Sequence, residues 1–169
     1  MKCIIHCIWT GLLLSVILSG CSTSKGLTKE EKAAEEAALR TAIENRTFVV
    51  DVDRALPMNG RSRTLTSSYS LEINGDKVKS YLPYFGRAYS VPYGGGEGLI
   101  FEAPITDYQS VFDNKGRMTI AFKTQSKEDR LEYRIQIFAN GSASIDVTSV
   151  NRQNISYSGK ATPSKENNP

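Results

Sequence analysis

The chain has 169 residues, 21 of them basic and 18 acidic, for a formal net charge of +3. So small an excess implies no polyanionic partner, and no nucleic acid is expected. The only histidine (His6) and all three cysteines (Cys3, Cys7, Cys21) lie at the N-terminus. The chain beyond Cys21 therefore holds no Ser-His-Asp or Cys-His pair, no usual zinc site and no disulfide. The length fits one domain.

Residues 1–20 read as a secretion signal. Lys2 supplies the charge, Gly11 to Leu18 the apolar core, and Ser19-Gly20 the small residues at the exit. The apolar run is shorter than the ~20 residues of a spanning helix. Leu18-Ser19-Gly20-Cys21 resembles the bacterial lipobox. The expectation is cleavage before Cys21, diacylglycerol on its thiol and an acyl chain, such as palmitate, on the new amine. Stable anchoring takes more than one chain, and a multiply acylated Cys21 meets that need. The alternative is an ordinary signal with a chance cysteine at its end. Residue 22 is serine and no acidic cluster comes after it, so the expected address is the outer membrane facing the periplasm, with surface exposure left open.

Residues 21–28 are a small, polar, lipidated tether. Thr28 and Glu31 form a capping box, and the Ala-, Glu-, Lys- and Leu-rich stretch after it predicts a helix over 29–46. Early Glu30 and Glu31 and late Arg46 suit the helix dipole, and Glu36 and Arg40 are spaced as an i,i+4 pair. Only Leu39 and Ile43 offer a large apolar face, so the helix docks through its last turns at most. A spacer is the main reading; a partner-binding or coiled-coil helix is the alternative.

From Thr47 the apolar period becomes two. Phe48-Val50-Val52, Tyr69-Leu71-Ile73, Met118-Ile120-Phe122, Leu131-Tyr133-Ile135-Ile137 and Ala143-Ile145-Val147 alternate with polar neighbours. Strands with one buried and one wet face are antiparallel. Asn74-Gly75 and Asn140-Gly141 signal two-residue hairpins, and Asn114-Lys115-Gly116 a three-residue one. Strands are expected near 47–53, 67–73, 77–82, 98–102, 107–113, 117–124, 130–138, 142–149 and 155–160. The fold class is mainly β: eight to nine antiparallel strands in a meander barrel, half-barrel or sandwich, with one N-terminal helix. The β domain covers 47–161, and 162–169 is a polar tail expected to be disordered.

Two stretches carry a family resemblance. Ser80-Tyr81-Leu82-Pro83-Tyr84-Phe85-Gly86-Arg87-Ala88-Tyr89 and Asn151-Arg152-Gln153-Asn154-Ile155-Ser156-Tyr157-Ser158-Gly159 resemble the signature and closing motifs of the bacterial lipoproteins grouped as domain of unknown function 4251. The resemblance spans roughly Phe48 to Lys160. It implies a small exported β domain, and no activity or site residue.

Chemistry is then a matter of what remains. Gly94-Gly95-Gly96-Glu97-Gly98 lacks the Gly-Lys-Ser/Thr of a phosphate loop and reads as a turn. Glu97, Glu102, Asp107 and Asp113 could supply a carboxylate pair for glycoside cleavage, although acids on alternating strands usually face water. No metal or cofactor is expected. Tyr81, Tyr84, Phe85, Tyr89 and Tyr93, interleaved with Pro83, Pro92, Gly86 and Arg87, form the distinctive region. Either these rings plug a barrel end, with at least one of Tyr84 and Tyr89 structural, or they make a rigid amphipathic surface. On the second reading the candidate ligand-binding residues are Tyr84, Arg87, Tyr89 and Tyr93. Arg54, Arg61 and Arg63 read as a solvated loop or an anion-binding rim; Arg152 and Tyr157 as residues that close the sheet. The expected function is a non-enzymatic envelope module for a small molecule, glycan or protein, attached to the membrane through the lipid on Cys21. The alternative is a carboxylate-based hydrolase or lyase acting on envelope glycans.

Overall fold

A computed structural model describes residues 28–89, 98–127 and 129–164. The chain divides into two compact units, Met1–Glu31 and Lys32–Pro169. Of the first, only Thr28–Glu31 is described, and it holds the capping box. The Thr28 amide donates to Glu31 Oε2 at 2.7 Å and the Glu31 amide to Thr28 Oγ1 at 3.2 Å. Cys21 lies outside the described residues.

Helix α1 spans Lys29–Glu44 and buries Leu39, Ala42 and Ile43 near its end, consistent with docking through the last turns. It stops two residues short of the expected 46. Arg46 takes a left-handed φ of 56° and returns its amide to Ile43 O at 3.1 Å, an ending that leaves the helical path. Its guanidinium lies 4.3 Å from the Tyr108 ring centroid and 2.9 Å from Asp76 Oδ1, instead of extending the last helical turn. Arg40 pairs with Glu44 at 3.2 Å, not with Glu36, while its guanidinium sits over the Phe112 ring at 4.7 Å.

The barrel has eight strands: β1 (Thr47–Pro57), β2 (Arg63–Asn74), β3 (Lys77–Leu82), β4 (Leu99–Phe112), β5 (Met118–Gln125), β6 (Arg130–Ile137), β7 (Ser142–Ser149) and β8 (Ile155–Pro163). They pair antiparallel in sequence order, and β8 returns to β1, from Phe48↔Pro163 to Pro57↔Ile155, to close the cylinder. The half-barrel and sandwich alternatives fall away. Two expected strands, 98–102 and 107–113, are one long β4. A bulge joins them: Asp107, at φ 55°, and Tyr108 stand between Thr106↔Lys123 and Gln109↔Ala121 and so oppose the single residue Phe122. The last strand runs to Pro163, past the expected boundary at 161, because Phe48 and Val49 still supply partners there. Gly141 (φ 79°) ends a three-residue turn closed by Phe138 N–H to Ser142 O, the same left-handed role that Gly116 (φ 74°) plays after Asp113, and not the expected two-residue hairpin.

Inward side chains fill the barrel. Phe48, Leu71, Ile73, Leu82, Ile120, Ile135, Ile137 and Ile145 are completely buried, and Phe122 stacks on Tyr133 with centroids 5.0 Å apart. Along β6, Leu131, Tyr133, Ile135 and Ile137 point in while Arg130, Glu132 and Arg134 point out. That alternation is the reverse of a membrane-spanning barrel, whose outward residues are apolar. Among the described residues no helix is long and apolar enough to cross a membrane.

The two barrel ends differ. The last turns of α1 cover one end, beside Tyr108 and Phe112, with the Tyr108 hydroxyl 3.4 Å from Ile43 O. Antiparallel order gathers the β1–β2, β3–β4, β5–β6 and β7–β8 connections at the other end, termed the mouth.

Candidate functional site

The mouth is built from the inside outward. Tyr157 is wholly buried, and its hydroxyl donates to Pro83 O at 2.7 Å, fixing the first residue after β3. Burial pushes its phenol well above the usual tyrosine range, as it does for Tyr133, whose hydroxyl is 3.4 Å from Ser80 Oγ. Tyr84 is next, a half-buried ring against the core. Its hydroxyl reaches Gln153 O at 2.9 Å and Arg87 O at 3.1 Å, and burial raises its pKa against the opposing pull of Arg152. A Cβ at Gly86 would run into that hydroxyl, so glycine lets the loop fold over the ring.

Beneath the loop lies a buried ion pair. Arg152 and Asp129 are 6% and 5% exposed, too little for either charge to be hydrated. Arg152 Nε lies 3.7 Å from Asp129 Oδ2, its Nη1 donates to Gly98 O at 2.9 Å, and its guanidinium lies 5.4 Å from the Tyr84 ring centroid. Ser149 Oγ also donates to Asp129 Oδ2. One arginine thus joins the β3–β4, β5–β6 and β7–β8 connections. Buried charges persist where they are paired and hydrogen-bonded in this way. Sequence reasoning assigned Arg152 to closing the sheet and did not single out Asp129.

Two candidate residues stand on the outer side of this framework. Their backbone is fixed: the Arg87 amide meets Gln153 Oε1 at 3.3 Å, the Gln153 amide donates to Arg87 O at 3.0 Å, and Ala88 forms a bridge with Arg152. The Tyr89 amide then donates to Asn151 O at 2.7 Å. Yet the Arg87 side chain is exposed and Tyr89 is 71% exposed. Phe85, between Tyr84 and Arg87, is half-buried with the Arg63 guanidinium 4.8 Å over its ring. Tyr81 stacks on Tyr69 at 5.5 Å. Tyr93 lies outside the described residues.

The structure therefore separates the candidates: Tyr84 is tied into the fold, while Arg87 and Tyr89 face solvent. Arg54 and Arg63 belong to strands and Arg61 to the β1–β2 connection, and all three are exposed. Of the four acids, Glu97 lies outside the described residues. Glu102, Asp107 and Asp113 are each held by a different cation, Lys77 at 3.6 Å, Lys123 at 2.9 Å and Arg117 at 3.0 Å. Among the described residues no cluster of three metal-ligating side chains occurs.

The family model described as domain of unknown function (DUF4251) matches residues 30–161. A crystal structure of a DUF4251 family protein from Bacteroides eggerthii DSM 20697 is similar, with a TM-score of 0.62 and 18% identity over 78% of this chain and 91% of that one. At that identity the likeness speaks to fold alone. No curated protein matches. The chain belongs to the DUF4251 family, a domain of unknown function, as the motifs at Ser80–Tyr89 and Asn151–Gly159 implied.

Proposed function

We propose that this protein is a lipid-anchored bacterial envelope protein whose barrel is a non-catalytic binding module, with Arg87 and Tyr89 at the mouth as its contact residues. One observation carries the reading: both side chains are exposed on backbone that is hydrogen-bonded to the β7–β8 connection on either side of Ala88. A fixed backbone lowers the entropy cost of binding, which is what a recognition surface needs. The chemistry on offer is a planar cation beside a phenol ring. It suits a ligand that joins an acidic group to a flat, weakly polar face, as an acidic sugar does. The filled barrel interior directs the ligand to the surface.

Catalysis is the weaker reading because Glu102, Asp107 and Asp113 are each engaged by a separate cation. Anchoring rests on Leu18-Ser19-Gly20-Cys21.

Two experiments test this. Palmitate labelling should be lost in Cys21→Ala; labelling that persists refutes the anchor. Calorimetry with matched acidic and neutral oligosaccharides should detect binding of acidic members only, weakened by Arg87→Lys, which cannot make the same bidentate contact. Equal binding by Arg87→Ala refutes the assigned surface.

A further inference from the structure

The β1–β2 hairpin has two properties that Arg87 and Tyr89 do not use. Its strands run together as far as Ala55↔Arg63, and β8 supports β1 to Pro57↔Ile155. Residues 58–62 form the tip, and every one of them is exposed. The hairpin and both strands that pair with it, β3 and β8, lie wholly within the described residues.

The first property is apolar exposure. Leu56 is 40% exposed and Met58 68%, with Pro57 between them. Among the described residues no other two exposed large apolar side chains stand so close along the chain. Ala55 is buried and points into the barrel, so Arg54 and Leu56 share the outer face of β1. Single exposed apolar residues are ordinary on a protein surface, whereas a run of them marks a place of interaction.

The second property is charge. From Arg54 to Leu71 the chain has three arginines, Arg54, Arg61 and Arg63, and no acidic residue. All three are exposed and none forms an ion pair among the described residues; the Arg63 guanidinium lies over Phe85. The acids on the paired strands offset little of this. Asp53 is exposed at the β1 bulge, which leaves three arginines against one aspartate over 53–63. Beyond it each acid has a basic neighbour across a strand pair: Asp51 faces Lys160, Glu72 faces Lys79, and Asp146 faces Arg134.

We propose that the β1–β2 hairpin seats on a bilayer surface bearing anionic phospholipid headgroups, with Leu56, Pro57 and Met58 entering the interfacial zone and Arg54 and Arg61 meeting the phosphates. The coincidence of the two properties selects this partner. A soluble acidic sugar would engage the arginines and leave Leu56 and Met58 wet. A bilayer takes both at once, because apolar side chains reach the acyl boundary while the negative surface potential attracts the arginines. The contact is peripheral: the tip enters, and the charged outer face along β6 stays in water.

The test is a fluorescent probe at the tip, Met58→Trp in the full chain, reconstituted in vesicles and compared with the unaltered chain to subtract Trp9. In phosphatidylcholine vesicles containing phosphatidylglycerol, the emission should shift to the blue and be quenched by lipids brominated near the headgroup. In phosphatidylcholine alone neither effect is expected. Arg54→Gln and Arg61→Gln should each lower the ratio of inserted to free tip roughly fivefold. Salt at about 1 M, where charges are screened beyond about 3 Å, should release the tip with both arginines in place. That arm needs no arginine variant to fold. Equal quenching in neutral vesicles, or quenching that survives the salt, overturns the proposal. So does quenching of Val111→Trp, exposed at the opposite end, when Met58→Trp is spared. An unquenched tip whose emission instead responds to acidic oligosaccharides overturns it as well.

Discussion

The Arg152 guanidinium and the Asp129 carboxylate form an ion pair across two connections of the barrel mouth, Nε to Oδ2 at 3.7 Å, with both side chains out of solvent. Removing one member of a buried pair strands the other charge, at a cost of about 3–5 kcal/mol. Arg152→Met should therefore destabilise by that order in urea melts. Adding Asp129→Leu should recover part of the loss, because the carboxylate stranded by the first change is then gone. A double variant weaker than the single one would show that the pair matters through other contacts.

Gly159 in β8 meets the Asp51 and Val52 backbone of β1 at the seam of the barrel, and a Cβ there would collide with main chain. Main chain cannot swing aside as a flexible side chain can. Gly159→Ala should cost about 2–3 kcal/mol, in the range of other overpacked sites. Equilibrium denaturation measures it, and amide exchange should rise first along β1 and β8.

The helix should divide into a dispensable and an essential part. Ile43 is completely buried and Leu39 nearly so, whereas residues 29–35 are exposed. Ile43→Ala should cost about 2–5 kcal/mol, as cavities in cores do. Deletion of residues 22–38 should shift the melting temperature by only a few degrees. Melts of the two variants, side by side, check the asymmetry.

Much of this fold was legible in the sequence. Period-two alternation located the barrel strands, and Thr28 with Glu31 marked the start of α1, because such signals depend on near neighbours. The single β4 was not legible. The expected strands 98–102 and 107–113 left residues 103–106 unassigned, but the chain runs on through them and passes Asp107 in a left-handed bulge that only the facing β5 makes evident. Arg40 had acids four residues away on both sides, and choosing Glu44 over Glu36 depended on Phe112, distant in sequence. The mouth was legible as aromatic and Arg-bearing. Its division into an anchoring Tyr84 and an exposed Tyr89 was not, since a Pro- and Gly-shaped loop has no period. Asp129 and Arg152 meet only once the barrel closes.

Alkaline pH should weaken the fold through its tyrosines. Burial raises the phenols of Tyr133 and Tyr157 well above the ordinary tyrosine value. In the unfolded chain they ionise at roughly pH 10, while the folded protein keeps them protonated. Their contribution is fully present below that pH and is lost as pH climbs from there toward the raised folded values. Stability should fall steeply above about pH 10, and Tyr133→Phe should flatten the slope. Phenolate absorbance followed with unfolding checks the linkage; buried tyrosines that ionise without unfolding would contradict it.

The central claim is that the mouth is a fixed framework carrying free contact residues, with Tyr84 in the framework and Tyr89 outside it. Urea melts of Tyr84→Ala and Tyr89→Ala test it most directly. Tyr84→Ala should cost about 2–4 kcal/mol, through loss of a half-buried ring and its hydrogen bond to Gln153 O in the β7–β8 connection. Tyr89→Ala should stay within about 1 kcal/mol of the unaltered protein, as exposed substitutions do. If Tyr89→Ala proves as damaging as Tyr84→Ala, the tyrosine offered here as a ligand contact is part of the plug, and the account of the mouth is wrong.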